Sequence, residues 1–392
     1  MRRIVTNSLR VAIVLIGARL AFRRPPRPLL ALLVLASGPL LAGCGQINPP
    51  ISVYPAPGVQ GINQVTSGPD GDLWFVGGTG GPPNGLVEVI GRMTPSGVTK
   101  LYPLPGNPGL AFAGITVGPD NNIWFTYSTN TGTGVGRLSP GTGQIVPFPL
   151  TLPPSVPPIP SSDLPLNTQA TDIIAGPDGN LWFDVDQIAG GVIIPEGYVG
   201  RITPKGTITL YPVPLTHSDQ PNAALQPQTI SVGADGNLWS RLTNANGGSS
   251  IPGYSPSSSV VRVTPAGQVT ILSEDSTSFR GYRLGPGGEY WWMTSTGAFR
   301  RTSPAGEITD FPADTQLGFW DPTHFVVGPD QDLWYVDGSS LFRMTETGTI
   351  TSYHAPGNNS GATWITAGLD GRLWFVEGAS GAGALGALRP SA

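Results

Sequence analysis

One octapeptide, Gly-Pro-Asp-Gly-x-Leu-Trp-Phe, recurs along the chain and dictates what it can fold into. Full copies stand at Gly68–Phe75 and Gly176–Phe183, and variants at Gly118–Phe125, Gly233–Ser240, Gly285–Trp292, Gly328–Tyr335 and Gly368–Phe375. The tryptophans of the seven copies are spaced by 50, 58, 57, 52, 43 and 40 residues. A period of that size is the mark of a repeat architecture in which each unit stacks on its neighbours.

A second motif follows the first, in idealised form Gly-Arg-x-Thr-Pro-x-Gly-x-Ile-Thr-x-Tyr-Pro. It is read at Gly91–Pro103, Gly136–Pro149 and Gly200–Pro212, with degenerate copies from Val261, Arg300 and Phe342. Each unit therefore holds four short β-type runs. In the second these are Gly114–Val117, Ile123–Phe125, Val135–Leu138 and Ile145–Phe148. Gly-Pro-Asp-x-x and Thr-Pro-x-Gly join them as tight turns, because proline presets φ and glycine accepts positive φ. Four antiparallel strands per unit describe a propeller blade.

Composition agrees. The chain holds 55 Gly and 42 Pro in 392 residues, which excludes a helical bundle. With 10 Trp, 13 Phe and 10 Tyr it is too aromatic for a solvated coil. The seventh unit has a third run at Gly386–Pro390 and no fourth, whereas Ile51–Pro57 matches Ile208–Pro214 in spacing. The expected fold is all-β, a seven-bladed propeller whose last blade is closed by the N-terminal strand. Closure in this way leaves no unpaired blade edge. The repeat tryptophans and the arginine series (Arg92, Arg137, Arg201, Arg262, Arg301, Arg343) read as structural. The aromatics pack between blades, and the guanidinium heads meet turn carbonyls or Asp.

Strand counting places both uniform turns on one face and the variable loops on the other. The loops above blades two to four are the longest, and they include the proline-rich stretch Leu150–Ala170. Variable loops on a rigid scaffold are where binding usually lives. A small molecule, peptide or protein is therefore expected at that top face of a monomeric propeller.

The first residues carry an address. Seven arginines and no acid precede the apolar run Leu29–Ala42, which as a 14-residue helix reaches about 21 Å, short of a bilayer core. Leu41-Ala42-Gly43 and then Cys44, the single cysteine of the chain, resemble a bacterial lipobox. Residues 1–43 are thus expected to be a lipoprotein signal peptide, 44–50 a short tether and 51–392 the propeller domain. A membrane partner through lipidated Cys44 and a periplasmic or cell-surface location follow. Gly45 is not the aspartate associated with inner-membrane retention, which favours an outer membrane.

After residue 43 the chain has 14 Lys and Arg against 25 Asp and Glu. No basic stripe remains to bind nucleic acid. One cysteine permits neither an intramolecular disulfide nor a thiolate zinc site. No nucleophile elbow or phosphate loop is present.

The paired motifs resemble the streptogramin (virginiamycin B) lyase family over essentially all of residues 51–390. The resemblance implies a seven-bladed propeller and an enzyme that opens a cyclic depsipeptide by elimination at its ester. In that family a histidine takes the α-proton and a magnesium ion held by carboxylates steadies the developing charge. The two histidines implied lie five residues before the Gly of the octapeptide in blades six and seven, where this chain has Thr323 and Thr363. His324 is one residue off, which in a strand turns it to the opposite face, towards the neighbouring blade. Glu377 stands near the position of a metal carboxylate.

Two functional readings remain. One is a membrane-anchored binding or interaction propeller without turnover. The other is a metal-dependent C–O lyase with a rearranged site around Asp321, His324, Asp337 and Glu377. A separate acidic group in blade three, Asp172, Asp184 and Asp186, is expected near one rim as a candidate calcium site or as solvated carboxylates. His217 and His354 read as solvated or packing residues.

Overall fold

The computed structural model describes residues 51–80, 86–103, 111–129, 132–152, 166–189, 197–213, 225–233, 235–244, 258–275, 279–285, 289–294, 298–303, 307–311, 324–338, 340–355, 361–378 and 382–390. The signal and tether, with Cys44, lie outside them, as do His217, Asp321, Thr323 and most of the proline-rich stretch.

The described residues form 28 strands in seven four-stranded antiparallel sheets. A short strand, β1 (Ser52–Pro55), comes first. Blade one follows with β2 (Val59–Ser67), β3 (Leu73–Gly80), β4 (Leu86–Met93) and β5 (Thr99–Pro103). Blade two holds β6 (Ala111–Val117), β7 (Ile123–Thr129), β8 (Gly132–Leu138) and β9 (Ile145–Pro149). Blade three holds β10 (Leu166–Ala175), β11 (Leu181–Ala189), β12 (Tyr198–Ile202) and β13 (Ile208–Pro212). Blade four holds β14 (Leu225–Val232), β15 (Leu238–Asn244), β16 (Ser258–Val263) and β17 (Val269–Asp275). Blade five holds β18 (Phe279–Leu284), β19 (Tyr290–Thr294), β20 (Phe299–Thr302) and β21 (Ile308–Phe311). Blade six holds β22 (Phe325–Val327), β23 (Leu333–Asp337), β24 (Ser340–Met344) and β25 (Ile350–His354). Blade seven is β26 (Gly361–Ala367), β27 (Leu373–Gly378) and β28 (Ala384–Leu388), completed by β1.

Closure is as the spacing implies. β1 pairs antiparallel with β28, Ser52 opposite Ala387 and Pro55 opposite Ala384. Arg372 fastens it, donating to the Tyr54 hydroxyl at 2.8 Å and to the Pro95 carbonyl of blade one at 2.7 Å. Blade seven carries Ala387 opposite Trp374, where the first three blades place an arginine opposite the repeat tryptophan. Arg372, from the turn, covers the Trp374 ring instead, 4.3 Å from its centroid.

The octapeptide explains itself in three dimensions. The repeat tryptophan is fully buried in six blades, at Trp74, Trp124, Trp182, Trp291, Trp334 and Trp374. In all of these but Trp291, where glycine stands in its place, the indole N–H donates to the turn aspartate four residues earlier, at 3.1 Å for Trp74 to Asp70 and 2.8 Å for Trp124 to Asp120. One ring face stacks on the aromatic of the fourth strand, as Trp182 does on Tyr211 at 5.5 Å. The arginine of the third strand lies near the same ring. The following Phe lies directly over a glycine of the third strand: Phe75 over Gly91, Phe125 over Gly136, Phe183 over Gly200 and Phe375 over Gly386. A Cβ at any of these glycines would enter the phenyl ring. That is why Gly precedes Arg in the second motif.

In four seams the tryptophan packs against the Phe of the next blade, Trp74 with Phe125, Trp124 with Phe183, Trp334 with Phe375 and Trp374 with Phe75, so the core is a ring of seams. Both kinds of tight turn share one face. Arg137, beside the blade-two turn, donates to Pro204 in the Thr-Pro turn of blade three at 2.8 Å.

Candidate functional site

The first strand of each blade is the innermost, and these strands line the central channel. Six of them, β2, β6, β10, β14, β22 and β26, wall a cavity of about 440 Å³. Most of its lining is β-branched, such as Ile115, Ile173, Ile230 and Ile365. Thr66, Thr116, Ser231 and Thr366 place hydroxyls at the same level, each opposite its blade's repeat tryptophan. Two ionisable side chains join them, Asp172 and His324, together with Trp364. A small concave apolar space with a few polar groups is the usual form of a ligand site.

His324 does face blade seven, where its ring lies against Trp364. It also borders the channel cavity. The inner strand has no further strand between it and the channel, so its side chains reach the seam and the channel together. Thr363 is exposed on β26.

Glu377 is 4% exposed. Alternation along β27 puts it on the face of Leu373 and Phe375, which packs against Trp334 and Val336 of blade six. It is buried in a seam. Asp337 closes β23 opposite Ser340, its side chain outside the described residues. His354 is exposed at the end of β25.

Asp172, Asp184 and Asp186 are brought together, but not at a rim. They are 9%, 0% and 5% exposed, in the seam between blades three and four. The reason is strand parity. Leu181, Phe183 and Val185 pack towards blade two, which turns Asp184 and Asp186 to blade four. Asp172 sits at a register shift in β10, and its two oxygens accept the N–H groups of Ile173 at 3.1 Å and Ile230 at 3.3 Å. Burial first, then the charges of Asp172 and Asp186, push the Asp184 carboxyl well above the usual carboxylate range.

Magnesium, implied by the family resemblance, can be tested against these donors. The blade-seven carboxylates with described side chains are Asp370, paired with Arg372 in the turn at 2.7 Å, and Glu377, buried in the seam with blade six. Among the described residues, no group of three or more His, Cys, Asp or Glu could hold a metal ion. The described donor set does not fit magnesium.

Three contributors escaped the sequence reading. Gln64 is buried and its Oε1 accepts the Ile115 N–H at 3.0 Å, joining blades one and two as Asp172 joins three and four. Trp364 covers His324, and Ser240 meets Asp184. Gln64, Asp172, His324 and Trp364 all stand four residues before the Gly of their octapeptide. That alignment was the available signal.

Fold and site define a closed seven-bladed β-propeller with an apolar channel cavity. The sequence profile of the Virginiamycin B lyase family matches residues 45–247, more than half of the chain, and the chain belongs to that family. Among solved structures it is similar to a streptogramin B lyase, at 23% identity and TM-score 0.63 over 87% of this chain and 98% of that one. It is likewise similar to virginiamycin B lyase from Staphylococcus aureus, at 22% identity and TM-score 0.61 over 87% and 100%. A third, the protein YCF48 solved with a bound peptide, aligns at 14% identity and TM-score 0.55 over 87% and 97%. At such identities these likenesses establish the fold alone. No curated protein sequence matches the chain.

Proposed function

We propose that this protein is a membrane-anchored extracytoplasmic binding propeller that has kept the scaffold of the streptogramin lyases without their reaction. One observation carries the reading: threonines, Thr323 and Thr363, occupy the positions where the family resemblance implies the histidines. A hydroxyl cannot take an α-proton near neutral pH, and an error of 1 Å in placing a base costs about 10²-fold in rate. His324, the nearest imidazole in sequence, has its ring against Trp364. The channel cavity supports binding of a small, largely apolar ligand. The lipobox-like Leu41-Ala42-Gly43-Cys44 supports the anchor. The test is incubation of residues 45–392 with a streptogramin B depsipeptide, with and without magnesium. Unchanged antibiotic is expected.

A further inference from the structure

We infer that the propeller stands on its membrane with the turn face against the lipid and the loop face outward. The inference rests on the lipoprotein reading above. Its first support is where the chain enters the domain. β28 runs to its end at Leu388, which pairs with Leu373 directly after the Gly368–Arg372 turn. Ser52 lies opposite Ala387, so β1 begins at that same face and climbs away from it. Arg389, just past β28, donates to the Asp370 carbonyl of the turn at 3.1 Å, which fixes the level.

The tether is short. Seven residues separate Cys44 from Ser52, and fully extended they span at most about 28 Å. To bring the loop face to the bilayer, this tether would have to fold back along the flank of a blade and spend about 17–26 Å of that length on it, most strands being five to eight residues at about 3.3 Å each, whereas at the turn face it starts level with the lipid.

Charge and hydropathy agree without reference to the tether. In the turns of this face, the two strand residues flanking each, and Arg389, eleven Lys and Arg stand against eleven Asp and Glu. The whole acid excess after residue 43, 25 against 14, is carried by residues outside these turns. An anionic lipid surface repels an acidic face and accepts a balanced one. Among the described residues the three most exposed large hydrophobic side chains are Leu369 at 72%, Val98 at 67% and Ile308 at 59%. All three stand in or beside these turns. Pro69, Pro119, Pro177 and Pro329 are exposed around them. Apolar side chains on a neutral face suit the headgroup boundary.

The experiment uses single-cysteine labels, which are clean because Cys44 is the one native cysteine and is blocked when acylated. Full-length L369C and T363C, each labelled with an environment-sensitive dye, are placed in phosphatidylethanolamine–phosphatidylglycerol vesicles containing nitroxide-labelled lipid. Quenching at least threefold stronger at position 369 than at 363 is expected. Equal quenching, or stronger quenching at 363, overturns the orientation. Should the full-length chain not enter vesicles, the lipoprotein reading fails by itself. The orientation is then decided by residues 45–392 carrying an N-terminal His tag on nickel-chelating lipid, with the same contrast between the two labels.

Discussion

The Ser240 hydroxyl of blade four lies 3.1 and 3.2 Å from the two carboxylate oxygens of Asp184 in blade three. Blades one, two, three and seven put Phe75, Phe125, Phe183 and Phe375 where blade four has Ser240, and the glycine beneath each ring becomes Val261. One seam has thus exchanged aromatic packing for a buried acid, and that acid borders Asp172 in the channel wall.

This seam should make stability depend on pH. The Asp184 carboxyl titrates higher folded than unfolded, so the folded state holds the extra proton. Its stabilising contribution is complete below the ordinary carboxylate pKa and is lost as pH rises through the folded value. Asp184→Asn should remove that part of the slope and gain stability relative to wild type as pH rises from 4 to 8. Urea unfolding of both proteins across this range checks it; parallel curves would refute it.

The glycines under the phenyl rings should resist the smallest change. Gly136→Ala drives a methyl into Phe125, and overpacking of this kind costs about 1–3 kcal/mol. Alanine at Gly61, where a Cβ meets nothing within 4 Å, serves as the control. A lower denaturation midpoint for Gly136→Ala alone is expected.

These two cases show what was legible in the sequence. Trp74, Asp70 and Gly68 recur at fixed offsets, so their turn and seam roles could be read by period alone. Gly91 could not be understood that way, because its reason is a ring on the neighbouring strand. The Ser240–Val261 exchange and the replacement of a third-strand arginine by Arg372 are pairwise compensations, visible only once register is known. Asp184 was found as an acid and misplaced at a rim, since parity depends on which blade Phe183 faces. Position four residues before the Gly mixes Gln64, Asp172, His324 and Trp364, and such variety hides a common place in the fold.

Ring closure should depend on β1. Deleting residues 51–57 exposes the edge of β28 and removes the Arg372–Tyr54 bond. A large fall in melting temperature or aggregation is expected. Arg372→Ala, which keeps the strand, should lower stability by about 1.5–3 kcal/mol, the scale of a charged hydrogen bond. A deletion protein that melts with the wild type would refute the closure account.

Anchoring should depend on the Cys44 thiol. Cys44→Ala is expected to abolish fatty-acid labelling and leave an unprocessed or soluble protein. Continued labelling and membrane partition would refute the lipobox reading.

Loss of the lyase reaction is the central claim, and direct incubation tests it. Elimination linearises a streptogramin B depsipeptide without changing its mass, so the measurement is chromatography coupled to mass spectrometry after prolonged incubation with residues 45–392 and magnesium. The expected chromatogram contains the cyclic antibiotic alone. A magnesium-dependent linear product, lost in His324→Ala or Glu377→Gln, would contradict the binding-propeller account and establish a lyase with a rearranged site.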